Sequence, residues 1–325
     1  MLEKTLRIGT RDSQLAVWQA TLVQDLLKES GIASKLVYIK SEGDVDTVTP
    51  LYALGVTGVF TKTLDAALLS NRIDIAVHSM KDVPTQLARG IQQAAVLKRA
   101  STKDIFVYKH DADPQLLGYV NGRWTTENQT SDFTIATGSV RRIAQWLHRF
   151  PGHRIENLRG NVNTRLRKVA ENNWNGAIFA AAGLERINLR PQRSIDLDWM
   201  LPAPAQGAIM VVCREGDDYA WKSCQDFHDD ATSLCTKIER DFLSALMGGC
   251  STPISALARL IEGQIYFSGN IVSPDGTQKA EIEKIIPLAE ASDLGFMAAK
   301  EIMLNGGRPL VERIRNKGLT SNGEV

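Results

Sequence analysis

Ile73-Asp-Ile-Ala-Val77, followed at once by His78-Ser-Met-Lys-Asp-Val-Pro84, is the stretch that decides the fold. The first five residues form a nearly continuous apolar run, the pattern of a strand covered on both faces within a parallel sheet. The polar residues after it then occupy the strand's exit. Toward the N-terminus, Leu6-Arg-Ile-Gly-Thr10 reads as a strand, and Asp12 or Ser13 can cap a helix carrying Leu15, Trp18, Leu22 and Leu26 at helical spacing. Gly31 ends that helix, residues 35–39 read as the next strand, and the turn Gly55-Val-Thr-Gly58 leads into a helix with Phe60, Leu64, Ala67 and Leu68. Strand, helix, strand, helix, strand describes an α/β unit.

A second unit of the same texture follows. Residues 133–136 read as a strand, and Gly138-Ser139 opens a helix with Ile143, Trp146 and Leu147. Residues 154–158 then read as a strand, 161–171 as a helix and 177–180 as another strand, while 111–131 form a polar, turn-rich excursion. A further strand at 208–212 follows the loop Pro202-Ala-Pro-Ala-Gln-Gly207. The last hundred or so residues change character. Asp229 or Asp230 caps a helix with Leu234, Ile238, Phe242 and Leu246 on one face, and Gly248-Gly249 stops it before Cys250. Strand-like runs at 254–260, 264–272 and 280–286 precede a helix at 291–304, an α+β pattern. The architecture expected is two α/β units with a cleft, plus a small C-terminal α+β domain.

Length and composition agree with that picture. The 325 residues exceed one ordinary core, and 43% hydrophobic with 23% charged residues exclude a mainly disordered chain. Thirty-eight basic against thirty-seven acidic side chains leave a formal charge of +1, which argues against a globally electrostatic binder of nucleic acid or membrane. No run of eighteen apolar residues predicts a membrane span, and the N-terminal residues lack the pattern of a secretory signal. Cys213, Cys224, Cys235 and Cys250 form no zinc spacing, so no metal is expected, and at this length they read as thiols of a reducing, cytoplasmic compartment.

The chemistry concentrates at strand exits. Between Arg141 and Lys168 stand eight basic residues and one acidic residue. Most basic runs are solvated helix faces, but Arg141 and Arg142 fall in the first turn after a strand, where helix amides already favour an anion. Arg159 follows a strand, and Arg165 lies a helix turn further on. In an open α/β sheet such strand ends border the ligand crevice, where guanidinium groups suit carboxylates or phosphates. Lys81 and Asp82 leave the apolar strand 73–77, offering a carboxylate beside a cation that can stabilise positive charge or move a proton. Arg11 and Ser13 would line the same crevice. Cys250, on a loop after two glycines, presents a thiol where a nucleophile could act.

Eight segments in order make the chain similar to the porphobilinogen deaminase (hydroxymethylbilane synthase) family along nearly its whole length. They are Arg7-Ile-Gly-Thr-Arg-Asp-Ser13, Gly58-Val-Phe-Thr-Lys62, Asp74-Ile-Ala-Val-His-Ser-Met-Lys-Asp-Val-Pro-Thr85, Thr137-Gly-Ser-Val-Arg-Arg142, Leu158-Arg-Gly-Asn-Val-Asn-Thr-Arg-Leu166, Ala180-Ala-Ala-Gly-Leu184, Gln206-Gly-Ala208 and Gly248-Gly-Cys-Ser-Thr-Pro253. The resemblance implies a transferase that condenses four porphobilinogen molecules head to tail, with loss of ammonia. The product would be hydroxymethylbilane, a haem precursor. It implies a dipyrromethane cofactor attached through Cys250 and a catalytic carboxylate at Asp82, which assists departure of the aminomethyl nitrogen and stabilises the cationic azafulvene. The acetate and propionate arms of the pyrroles would be held by Arg11, Ser13, Lys81, Thr137, Ser139, Arg141, Arg142, Arg159, Arg165 and Arg186. The fold implied is two domains resembling periplasmic binding proteins, 1–98 with 207–226 and 99–206, plus a third at 227–325, in a cytoplasmic monomer.

The chain departs from the family pattern at Val48, Thr57, Gly138, Pro204-Ala205, Val212 and Met247, where aspartate, lysine, serine, Val-Gly, glutamate and glutamate are common. The alternative reading is a non-catalytic binder of an acidic small molecule in the same cleft. Nucleic-acid binding through 141–168 is disfavoured, since no aromatic stacking motif is interleaved there.

Overall fold

The computed structural model describes residues 5–40, 61–110, 112–125, 132–246 and 252–320. Strands β1 (Leu6–Thr10), β2 (Ser34–Tyr38) and β3 (Ile75–Ser79) are parallel, with Ile8 between Leu36 and Ile75. Side chains of β3 alternate between two cores, which explains its unbroken apolar run. Ile75 and Val77 pack with Ala20, Val23 and Leu27 of helix α1 (Gln14–Glu29), whereas Ala76 packs with Leu64, Ala67 and Leu68 of α2 (Lys62–Leu69). Gly31, at φ +75°, closes α1 in the left-handed region open to glycine. β3 starts two residues later than the apolar run because Asp74 turns its carboxylate to Arg7, accepting from the backbone N–H and from Nε, both at 2.9 Å.

The chain continues through β4 (Ile91–Val96) into a second sheet and then returns. There β5 (Asp104–Tyr108), β8 (Thr134–Ala136), β9 (Arg154–Glu156), β10 (Gly176–Ala180) and β11 (Ser194–Asp196) lie in the order β11-β5-β10-β8-β9. The described part of the 111–131 excursion contains the hairpin of β6 (Tyr119–Val120) and β7 (Arg123–Trp124). Helix α3 (Val140–Arg149) buries Trp146 against Phe106, and α4 (Val162–Glu171) is capped by the Asn161 side chain accepting from Thr164 N–H. A short α5 (Ala181–Glu185) follows β10. The returning strand β12 (Ile209–Arg214) inserts antiparallel between β3 and β4, completing the order β2-β1-β3-β12-β4. Short α6 (Asp218–Lys222) follows it.

The remaining residues form the small α+β unit. In α7 (Asp230–Ala245) the Asp229 carboxylate accepts from Thr232 N–H at 2.7 Å. Strands β13 (Ile254–Ile261), β14 (Gln264–Val272) and β15 (Lys279–Pro287) make an antiparallel sheet, and Phe242 meets Phe267 edge-on. Helices α8 (Leu294–Ile302) and α9 (Arg308–Thr320) follow.

The two-unit α/β design with a C-terminal α+β unit is therefore as expected, with local differences. The sequence reading leaves β4 and β5 unassigned, since polar Gln92, Gln93 and Asp104 break the apolar pattern, and it does not assign α9. The strand expected at 154–158 stops at Glu156, and the helix expected at 291–304 begins as a 3₁₀ turn, Leu288–Asp293. Val48, the turn Gly55–Gly58, Thr57, Phe60, Met247, the stop at Gly248-Gly249 and Cys250 lie outside the described residues. Cys213, Cys224 and Cys235 are buried free thiols, raised by burial to about 11, 12 and 11.

Two crossovers between the sheets run side by side, with Leu97 N–H donating to Ile209 O and Ala100 N–H to Gly207 O. Glu239 of α7, fully buried, fastens them. It accepts from Arg99 Nη1 at 2.6 Å and Nη2 at 2.9 Å, from Ala205 N–H at 2.6 Å and from Ala258 N–H at 2.8 Å. A buried carboxylate is stable only when charge and lone pairs are answered in this way.

Candidate active site

The parallel strands end on one side, and the polar residues that follow them form the site. Arg11 follows β1, Lys81 and Asp82 sit in the 3₁₀ turn Met80–Asp82 after β3, and Thr137 and Ser139 follow β8. Arg159 follows β9, and Arg165 lies on α4. The electrostatics bring seven of the expected residues together. Burial, then Arg142, with Arg159 and Arg11 beyond, hold the Arg165 guanidinium down to about 10 against the raising influence of Asp82. Burial and Arg142 likewise push Lys81 down to about 8, against the pull of Asp82 and Asp104. His78, beneath the site in β3, is pushed to about 4 by burial and then by Arg11, so it is neutral near pH 7.

Sequence reasoning misses the anion at the base of this cluster. Asp104, at the start of β5, is fully buried and accepts from Arg141 Nη2 at 2.7 Å and from Arg142 Nη2 at 2.7 Å. The resemblance implies that Arg141 and Arg142 hold carboxylate arms of a ligand. In the structure Arg141 Nη1 also donates to Leu201 O and Arg142 Nη1 to Ile178 O, so most of their donors are used internally. Their place in the first turn of α3 points them inward, onto a strand that the sequence reading leaves unassigned. Gln206 completes the connection, accepting from Lys81 Nζ at 3.2 Å and donating from Nε2 to Asp104 at 3.0 Å. The signal available in sequence was an acid opening the apolar run Ile105-Phe-Val107.

The other expected residues divide. Thr137 is buried, its hydroxyl accepting from Ser139 N–H at 3.3 Å, and neither Ser13 nor Ser139 uses its hydroxyl to cap its helix. Arg159 is buried, and Arg165 donates from Nε to Gly160 O at 2.7 Å. Arg186 stands apart from the cluster. It donates to Gly207 O at 2.7 Å, and its guanidinium lies 5.7 Å from the Trp18 ring centre, so it binds the second crossover.

The donor set is strongly one-signed: Arg11, Lys81, Arg141, Arg142, Arg159 and Arg165 gather around Asp82 and Asp104, and several depress one another. Arg141 Nε is buried with no hydrogen-bond partner among the described residues. Such a site fits a ligand with several carboxylates.

Comparison with known proteins gives this geometry a family. The model described as "Porphobilinogen deaminase, dipyromethane cofactor binding domain" matches residues 6–222, and "Porphobilinogen deaminase, C-terminal domain" matches 233–304. The chain belongs to the porphobilinogen deaminase family. Porphobilinogen deaminases from two strains of Acidithiobacillus ferrooxidans are each 37% identical over 319 residues, covering 96% of this chain and 99% of theirs. Among solved structures, an ancestral cationic amino acid solute binding protein overlaps with a TM-score of 0.43 at 14% identity, over 69% of this chain and 87% of that one. Members of the family are transferases, and the first matched model names the cofactor. Family membership does not favour the non-catalytic binder. Among the described residues no helix is long and apolar enough to cross a membrane, and no His, Cys, Asp and Glu cluster could hold a metal.

Proposed function

We propose that this chain performs the family's reaction with Asp82 as the catalytic carboxylate and Cys250 as the point of cofactor attachment. Four porphobilinogen molecules are joined head to tail with loss of ammonia, and hydroxymethylbilane is released. The observation that carries the reading is a partly buried acid, Asp82, set among a surplus of cations that Asp104 only partly answers.

Each part of the cluster has a task. Arg11, Arg159, Arg165 and Lys81, with the orphaned Nε of Arg141, hold acetate and propionate arms through charge-assisted hydrogen bonds. Ser13, Thr137 and Ser139 add neutral donors at the strand ends. Arg142 acts chiefly through Asp104, fixing the floor of the site, and Arg186 acts at the crossover. With the arms held by cations, the cationic centre that forms as the aminomethyl nitrogen leaves lies near the Asp82 carboxylate. That group stabilises the positive charge and guides the proton at the nitrogen. The dipyrromethane cofactor, when bound, supplies the terminal pyrrole carbon to which the first unit is joined. The same residues fit that cofactor, because it carries the same carboxylate arms as the substrate.

The domain division that goes with this reading is 1–98 with 207–226, 99–206 and 227–325, supported by the return of β12 to the first sheet. A cytoplasmic monomer is the working state, and the three buried free thiols support a reducing compartment. The decisive measurement is intact mass. The purified chain should exceed its sequence mass by one dipyrromethane unit, Cys250→Ser should lack the increment, and Asp82→Ala should lose nearly all turnover while remaining folded. A wild-type chain that carries no adduct, and gains none on incubation with porphobilinogen, refutes the reading.

A further inference from the structure

We propose that Arg240 is a positioning residue for Asp82, holding from the third domain the turn that presents the carboxylate. The inference rests on the reading of Asp82 given above. Arg240 lies on α7 beside Glu239. Its Nη1 donates to Val83 O at 2.9 Å and, at a longer 3.5 Å, to Met80 O. Its Nη2 donates to Pro84 O at 2.6 Å and Thr85 O at 3.2 Å. One planar guanidinium thereby gathers carbonyls from both sides of Asp82.

The turn needs such a donor. Val83 N–H closes the 3₁₀ turn onto Met80 O, but Pro84 has no N–H, and residues 83–88 belong to no helix or strand. Carbonyls in such a segment must find partners outside it. An arginine suits this better than a lysine, since its fixed fork reaches several acceptors at once. The donor is itself anchored, because the neighbouring Glu239 binds Arg99, Ala205 and Ala258. One stretch of α7 therefore grips both the crossover between the sheets and the turn bearing Asp82, and the chain reaches Cys250 shortly after α7 ends at Ala245. The placement of the turn that bears Asp82 depends partly on a helix of the C-terminal unit.

The test compares cofactor-bearing wild type, Arg240→Met and Arg240→Lys, with Asp82→Asn as reference. Active chains are counted by intact mass, and kcat and KM for porphobilinogen are measured below the melting range of each variant. Arg240→Met should lose about ten- to hundredfold in kcat per cofactor-bearing chain, with KM changed less than about threefold. Arg240→Lys should recover part of that loss. A merely structural role would lower the melting temperature or the number of active chains and leave kcat per active chain unchanged, which would overturn the inference. So would a raised KM at unchanged kcat. If Arg240→Met does not fold, the lysine variant decides by the same split. Full activity in Asp82→Asn would instead defeat the reading of Asp82 on which the inference stands.

Discussion

Asp104 Oδ1 lies 2.7 Å from Arg142 Nη2 in a fully buried ion pair that Arg141 shares through Oδ2. Burial alone would raise the Asp104 carboxyl, but Arg141, Arg142 and Lys81 together outweigh it and hold the group well below the usual carboxylate range. Asp104→Asn keeps the shape and removes the charge, leaving two buried guanidinium groups without their carboxylate. Unfolding free energy should fall by about 3–5 kcal/mol, read from the denaturant midpoint. The folded value lies below the unfolded one, so this contribution is complete at neutral pH. It is lost only as pH falls below about 4 toward the folded value. The variant should lack that acid-dependent component, and unchanged stability would contradict the role given to Asp104.

Lys81 supplies a second pH dependence, of opposite origin. Burial and Arg142 push it down to about 8. Between about 8 and its ordinary value the unfolded chain binds more protons, so this group's contribution to stability rises with pH across that window. Function runs the other way, because the cation that receives a carboxylate disappears above about pH 8. The kcat/KM profile should fall there, and Lys81→Arg should flatten that limb whatever its absolute rate. Superimposable profile shapes would show that Lys81 charge is not used.

Ala205 occupies φ +61° in the buried second crossover, where the family commonly has glycine. A non-glycine residue in the left-handed region costs about 1–2 kcal/mol. Glycine would relieve this but lose a buried methyl worth about 0.8 kcal/mol and add freedom to the unfolded chain. Ala205→Gly should therefore change stability by less than about 1 kcal/mol, whereas Ala205→Val should lose about 2 kcal/mol or more. Thermal melts of the pair distinguish strain at this position from simple loss of packing.

Gly138 is the departure with the clearest steric meaning. A Cβ there would sit 2.7 Å from Leu158 O, so β8 and the segment after β9 approach more closely than a side chain allows. Gly138→Ser, although it restores the residue common in the family, should destabilise this chain by about 1–3 kcal/mol. It should also lower kcat/KM by displacing Thr137 and Ser139. Equal melting temperatures would show that Leu158 yields without penalty.

Local patterns made much of the frame readable. The alternation of β3 between two cores left an unbroken apolar run, and Asp229 and Asn161 marked helix starts that the structure confirms. Arg11, Lys81, Asp82 and Arg159 follow strand ends, as the sequence pattern indicates, and Arg165 lies on the next helix close enough to sense them. Asp104 and Arg240 were not legible, because each works on residues far away in sequence. A lone acid before an apolar run, and one arginine on an amphipathic helix, carry no local mark of their partners.

By itself the chain determined which elements form, and that cationic residues follow parallel strands, since hydrophobic period and turn chemistry are local properties. Its motif order also indicated the family. Tertiary structure alone decided how those cations are shared out. Arg141 and Arg142 turn inward because β5 brings an acid beneath them, and Arg186 is drawn to the crossover carbonyl of Gly207. Charge pairing in a buried site depends on which groups the packed sheets bring within hydrogen-bond distance, a relation that no spacing along the chain contains.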